Sequence, residues 1–229
     1  MPELVQEIQT YLDLALRRAM PFREAESVPP SMRVGEVDTG GCVTWRPVPS
    51  EVSTEDLAQL ETVIGAPLSP AYRALLLDRH YVELACVVVN FDGHCVRSWL
   101  SDLEKRLRNH GVPGLVPIGY DAWDAGPIYL DLRHPDADGD GPVICHDMGW
   151  FGTEHEWRPF FSTSRHMFCA LSAVLSRPPD HFPWYHRGEP NAEQRSGKAE
   201  CLRAFFDADP AGAGGPGRER FAGLAEAAG

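Results

Sequence analysis

The 229-residue sequence contains no CxxC pair, no HExxH, no GxSxG elbow and no phosphate-binding glycine loop. Without the first two, zinc and dithiol chemistry have no ligand spacing to use; without the others, the common serine-hydrolase and nucleotide sites are missing. Long apolar runs are absent as well. The longest, residues 84–89, has six residues, far below the roughly 20 needed to span a bilayer. Positive charge is scarce: 21 Lys and Arg stand against 33 Asp and Glu, a formal net charge of -12. That balance opposes nonspecific adhesion to nucleic acid or anionic membrane and favours a basic partner. Glu3 and Glu7 occupy the place of a basic n-region and no small-residue cleavage site follows, so no secretory leader is expected. The six cysteines, Cys42, Cys86, Cys95, Cys145, Cys169 and Cys201, lie far apart and mostly beside apolar segments, which predicts reduced core residues of a cytoplasmic protein.

Residues 3–20 carry Leu4, Ile8, Tyr11, Leu12, Ala15, Leu16 and Ala19 at helical spacing, with acids early, Arg17 and Arg18 late, and Pro21 behind. This predicts a docking helix. Residues 21–50 are rich in Pro, Gly and Ser and predict a surface connector with one short strand around Cys42 to Trp45. Ser53 then caps a helix with Leu57, Leu60 and Ile64 on its apolar face, and Gly65 supplies the left-handed stop. Ser69 caps a second helix, Pro70 fits its first turn, and Tyr72, Leu75 and Leu76 form the buried stripe.

After His80 the period changes. "YVELACVVVNF", "GLVPIG", "GPIYLDL" and "PVICHDM" are short segments rich in Val, Ile, Leu and Tyr between Gly, Pro and Asp clusters, and predict strands of an antiparallel or mixed sheet. Between the first two, "SWLSDLEKRLRNHG" predicts an amphipathic helix with Leu100, Leu103 and Leu107 on one face and Gly111 as its stop. A further helix is expected over 163–176, a short one around Ala199 to Phe206, and an unstructured Ala/Gly-rich end.

Two sites are weighed on spacing alone. "DADGDGPVICHD" places Asp136, Asp138, Asp140, Gly141 and Asp147 as a calcium loop would, but the strand patterns on both sides favour an acidic hairpin turn. His146 and Cys145 are neighbours on a strand and face opposite sides, so they cannot work together as base and nucleophile.

The stretch "LETVIGAPLSPAYRALLL", through Glu61, Gly65, Leu68, Tyr72 and the leucines after it, resembles the SUKH superfamily. So does "GLVPIGYDAWDAGPIYLDL", through Leu115, Pro117, Ile118, Gly119 and the strand at 128–132, with a trailing match at "VICHD" and the helix near "STSRHMFCAL". The superfamily includes the fungal cell-wall-synthesis regulator and many bacterial immunity proteins against polymorphic toxins, and the similarity covers about residues 53–177. It implies a single α+β domain with a central sheet backed by helices, no catalytic residues, and a surface that binds another protein; no cofactor or metal is expected, since the histidines and cysteines lack ligand spacing. Bacterial members typically neutralise a toxin, often a nuclease, by blocking it.

Charge placement agrees with a binding role. Residues 114–160 hold nine acids against Arg133 and Arg158, a surplus of seven, together with Trp123, Trp150, Phe151 and Trp157. Aromatic anchors beside acids suit capture of a basic protein. The expected partner-binding residues are Asp121, Trp123, Asp124, Trp150, Glu154, Glu156 and Trp157, and the expected partner is a basic toxin domain. A regulatory interaction module without a toxin is the alternative. A metal-dependent hydrolase, with Asp121, Asp131 and Asp147 gathered at one sheet edge, comes third. The expected organisation is an N-terminal helix and connector over 1–50, the SUKH-like domain over 51–186, and a short helix with a tail over 187–229.

Overall fold

A computed structural model describes residues 2–18, 22–86, 88–94, 97–122, 126–147, 156–182, 189 and 191–212. Helix α1 (Pro2–Arg18) buries Ile8, Tyr11, Leu12 and Ala15 along one stripe, as the spacing of those residues requires. Strands β1 (Phe22–Glu24), β2 (Arg33–Val34) and β3 (Cys42–Trp45) form a small antiparallel sheet in the order β1-β3-β2. The connector therefore holds more strand than the one segment its composition shows. The reason is pairing: β1 and β2 are too short to carry a pattern and exist by bonding to either side of β3.

After β4 (Val48–Pro49) come helices α2 (Thr54–Ile64) and α3 (Pro70–Asp78). The Ser53 hydroxyl accepts from Asp56 N, the Asp56 carboxylate accepts from Ser53 N, and Gly65 closes α2 at φ 79°. This reciprocal cap satisfies two backbone donors that would otherwise be orphaned. Ser69 caps α3 by accepting from Tyr72 N. The sharp corner thus follows from single residues, each with one local role.

Strand β5 (Arg79–His80) pairs with β4. The main sheet is built from β6 (Leu84–Cys86), β7 (Val89–Phe91), β8 (Leu115–Asp121), β9 (Pro127–Asp131), β10 (Val143–Asp147) and β11 (Glu156–Phe161), with α4 (Arg97–His110) inserted between β7 and β8. Neighbours in space follow chain order throughout, and every pairing is antiparallel. Helices α5 (Ser164–Leu175) and α6 (Ala192–Ala208) complete the fold. The architecture is α+β, one antiparallel sheet backed by helices.

One face of this sheet, with Phe91, Val116, Ile118, Ile128, Leu130, Val143 and Cys145, lies in the core. Tyr11 of α1 packs on Phe168 of α5 at 4.9 Å between ring centroids and on Phe91 of β7 at 6.1 Å. Helix α6 begins well before the short segment expected around residue 199, because Asn191 and Gln194 form a second reciprocal cap. It packs on α5, placing Cys201, Leu202 and Phe205 in the same core. The tail expected to be unstructured, 213–229, lies outside the described residues. No helix among the described residues is long and apolar enough to cross a membrane.

Candidate functional site

The second face of the sheet is the conspicuous surface. Period-two alternation sends Pro127 and Tyr129 of β9, and Ile144 and His146 of β10, away from the core-facing Ile128, Leu130, Val143 and Cys145. In β8 the register slips between Pro117 and Gly119. That bulge puts Tyr120 on the same side as Pro117 although the two are three residues apart. Gly119 is required by the packing here, since a Cβ would sit 2.2 Å from Asn90 O on β7.

Across this face Tyr120 stands opposite Pro127, Tyr129 opposite both Pro117 and Ile144, and His146 opposite Trp157. The Trp157 ring lies 5.2 Å from Tyr129, edge to face, and 4.7 Å from His146. Helix α4, through Arg106 and Leu107, and the turn at 111–112 wall one side. A groove of about 330 Å³ results. Tyr120 is 54% exposed, Trp157 47% and Val112 47%, all three bordering the groove. Large apolar side chains clustered at one exposed place mark an interaction surface far better than scattered ones do. Burial first, and the neighbouring Tyr120 second, push the Tyr129 hydroxyl above its ordinary value, so it is a proton donor at any physiological pH.

Of the seven expected partner-binding residues, Trp157 sits on this face. Asp121 ends β8 with only 5% of its surface exposed, because the end of a central strand is packed between neighbours; its carboxylate is no steering charge. Glu156 opens β11 opposite Asp147. Trp123, Asp124, Trp150 and Glu154 lie outside the described residues, although the strand ends that bound them, Asp121 with Pro127 and Asp147 with Glu156, are at one end of the sheet. Tyr120, Tyr129, Asp92 and Arg106 are not among the residues that the sequence singles out. Alternation in "PIYLD" and "VICHD" was the available signal, but without the bulge in β8 the face could not be assembled.

The acidic turn has a different use. Asp136 Oδ1 accepts from Asp138 N and Asp140 N, each at 2.9 Å. The buried Asp140 carboxylate accepts from Ser164 Oγ at 2.6 Å and from Arg165 N at 2.7 Å, holding the start of α5. Ser164 Oγ lies 2.7 Å from Ser69 Oγ; since the Ser164 proton goes to Asp140, Ser69 is the donor of that bond. One chain of bonds thus ties the first turns of α3 and α5 to the turn before β10. Asp147 stands at the far end of β10, about 14 Å further on at strand rise, so the five residues do not converge on one cation. Asp131 pairs with Arg133 at 2.7 and 2.8 Å, which holds its carboxyl below the usual range. It lies at the Leu115 end of β8, opposite the Asp121 end, so Asp121, Asp131 and Asp147 do not form one edge. Among the described residues no group of three His, Cys, Asp or Glu could hold a metal ion.

Neither a protein-family model nor a curated protein matches the chain.

Proposed function

We propose that the chain is a SUKH-like, non-catalytic binding protein that neutralises a basic protein toxin domain by covering it, and that the open face of the main sheet is the surface it uses. The observation that carries this reading is the clustering of exposed Tyr120 and Trp157 with half-buried Tyr129 around one groove, on a chain whose net charge is -12. Exposed Trp and Tyr are the residue types that anchor protein interfaces, because they bury a large rigid area with little loss of side-chain freedom. The charge selects for a positively charged partner and raises its encounter rate. Blocking needs no bond made or broken.

The experiment is co-expression with candidate basic toxin domains from neighbouring genes, scored by survival, followed by purification of the complex. We expect a stoichiometric complex, and Trp157→Ala or Tyr120→Ala each weakening it by about 10- to 100-fold with unchanged thermal stability. Full affinity in both variants would reject this face as the interface. Failure to protect against any neighbouring toxin, with retained binding to a basic host protein, would instead identify a regulatory interaction module.

A further inference from the structure

The groove has an ionic end and an aromatic end. At the ionic end Asp92, which follows β7, faces Arg106 of α4 with 3.5 Å between Oδ2 and Nη1, the longest ion pair among the described residues. Half of the Arg106 side chain is exposed. Two other guanidiniums are held by two short bonds each, Arg165 to Glu7 at 2.6 and 2.8 Å and Arg133 to Asp131 at 2.7 and 2.8 Å, whereas Arg106, like the surface pair Arg108–Glu104 at 3.4 Å, makes one long contact. A single long, solvated contact contributes little, so Asp92 has acceptor capacity to spare. Its backbone is nevertheless fixed, with Asp92 N donating to Ile118 O. The rings of Tyr120 and Tyr129 border the same space.

A carboxylate with an exchangeable partner beside two aromatic rings is a receptor for a planar cation, which can donate two parallel hydrogen bonds to the carboxylate oxygens and lie against a ring at once. Resting on the reading that this face captures a basic protein, we infer that the groove receives an arginine side chain of the partner, which takes Asp92 from Arg106 and stacks against Tyr120 or Tyr129. Arg106 then turns into the solvent that already reaches half of it. An acidic anchor would meet Asp92 and the net charge of -12. A lysine would supply a point charge but no plane to stack.

The test is a titration of the isotope-labelled full chain with N-acetyl-arginine amide, followed through the backbone amide signals of Asp92, Tyr120 and Tyr129. N-acetyl-lysine amide and the neutral isostere N-acetyl-citrulline amide are the controls, and their comparison needs no variant. We expect saturable shifts with the arginine compound and affinities about five- to tenfold weaker for the other two. Asp92→Asn should weaken arginine binding about fivefold, whereas Arg106→Ala, which removes the resident competitor, should tighten it about threefold. Equal binding of citrulline, no saturable shift, or weaker binding in Arg106→Ala would overturn the inference. The two proposals fail separately. If Trp157→Ala releases the toxin domain but the arginine compound does not bind, the face is an interface without an arginine site. If the compound binds but the variant keeps full toxin affinity, the site exists and the proposed interface is wrong.

Discussion

Two buried groups decide much of the stability at the scale of single residues. Asp140 is buried with its oxygens committed to Ser164 and Arg165 N, and its loss leaves a hydroxyl and a backbone amide without acceptors. Asp140→Ala should therefore cost about 2–4 kcal/mol in denaturant unfolding, while the aromatic face keeps its properties; an unchanged midpoint would mean that the network carries no stability. The second group is the histidine pair. His80 Nε2 accepts from Glu51 N at 3.0 Å, so its Nδ1–H is the donor to His94 O at 3.1 Å. His94 Nδ1 faces Arg79 O at 3.3 Å, and its buried Nε2 has no hydrogen-bond partner. Both rings are built to be neutral. Burial first, then the adjacent His80, push His94 down to about 3, and burial lowers His80 as well; the bond to His94 O and the Glu51 carboxylate act the other way on His80. With folded values below 6.5, the neutral rings support the fold above about pH 6.5, and that support is lost as pH falls toward 3. His94 alone should remove about 2 kcal/mol by pH 5. His94→Asn, which can keep the donor to Arg79 O but cannot titrate, should show a shallower loss between pH 6.5 and 4.5 in denaturant melts; equal slopes would assign the acid sensitivity elsewhere.

At the scale of elements, legibility in the sequence tracks how local the cause is. The α2–α3 corner is readable because Ser53, Gly65, Ser69 and Pro70 each do one thing within four residues of themselves. The same logic would have found the start of α6, where Asn191 and Gln194 repeat the capping pattern, had the Gly and Lys that follow not diluted the apolar stripe. Strands β8 to β10 are readable as strands from their composition. Which residues they share a face with is not, because the bulge at Pro117 to Gly119 reverses the phase of Tyr120 and exists only in the register of β8 against β9, which no local pattern within β8 announces. The proposed binding face is thus half visible in the sequence: Trp157 on type, Tyr120 and Tyr129 only once the strands are paired. Gly119→Ala tests the bulge directly. With the new Cβ 2.2 Å from Asn90 O, β7 and β8 must separate, and we expect a loss of about 3 kcal/mol or more with faster amide exchange at Asn90 and Phe91. Wild-type exchange in the variant would show that the sheet yields there without cost.

The whole molecule acts through its field. A charge of -12 on 229 residues is spread over many exposed carboxylates, and the groove itself is close to neutral, with Asp92 set against Arg106. On the proposed reading, attraction and adhesion fall to different parts: the general negative surface would steer a basic partner, and the aromatic groove would hold it. Long-range steering is screened once the Debye length falls to a few ångströms, whereas contacts inside the groove exclude the salt that would screen them. Raising the ionic strength from about 0.05 to 0.5 M should then slow association with the toxin domain about tenfold or more and change dissociation far less. Trp157→Ala should do the reverse, speeding dissociation with little effect on the salt slope, because it removes area and no charge. Charge reversal at Asp121 is a poor probe of steering, since that carboxylate is buried; reversal at the exposed Asp138 alters the field while leaving the Asp136 carboxylate to hold the turn. Stopped-flow association and dissociation rates measured across salt for the wild type and these variants settle the division. An association rate independent of salt would remove steering, and a Trp157→Ala variant altered only in its association rate would place the contact surface elsewhere on the protein.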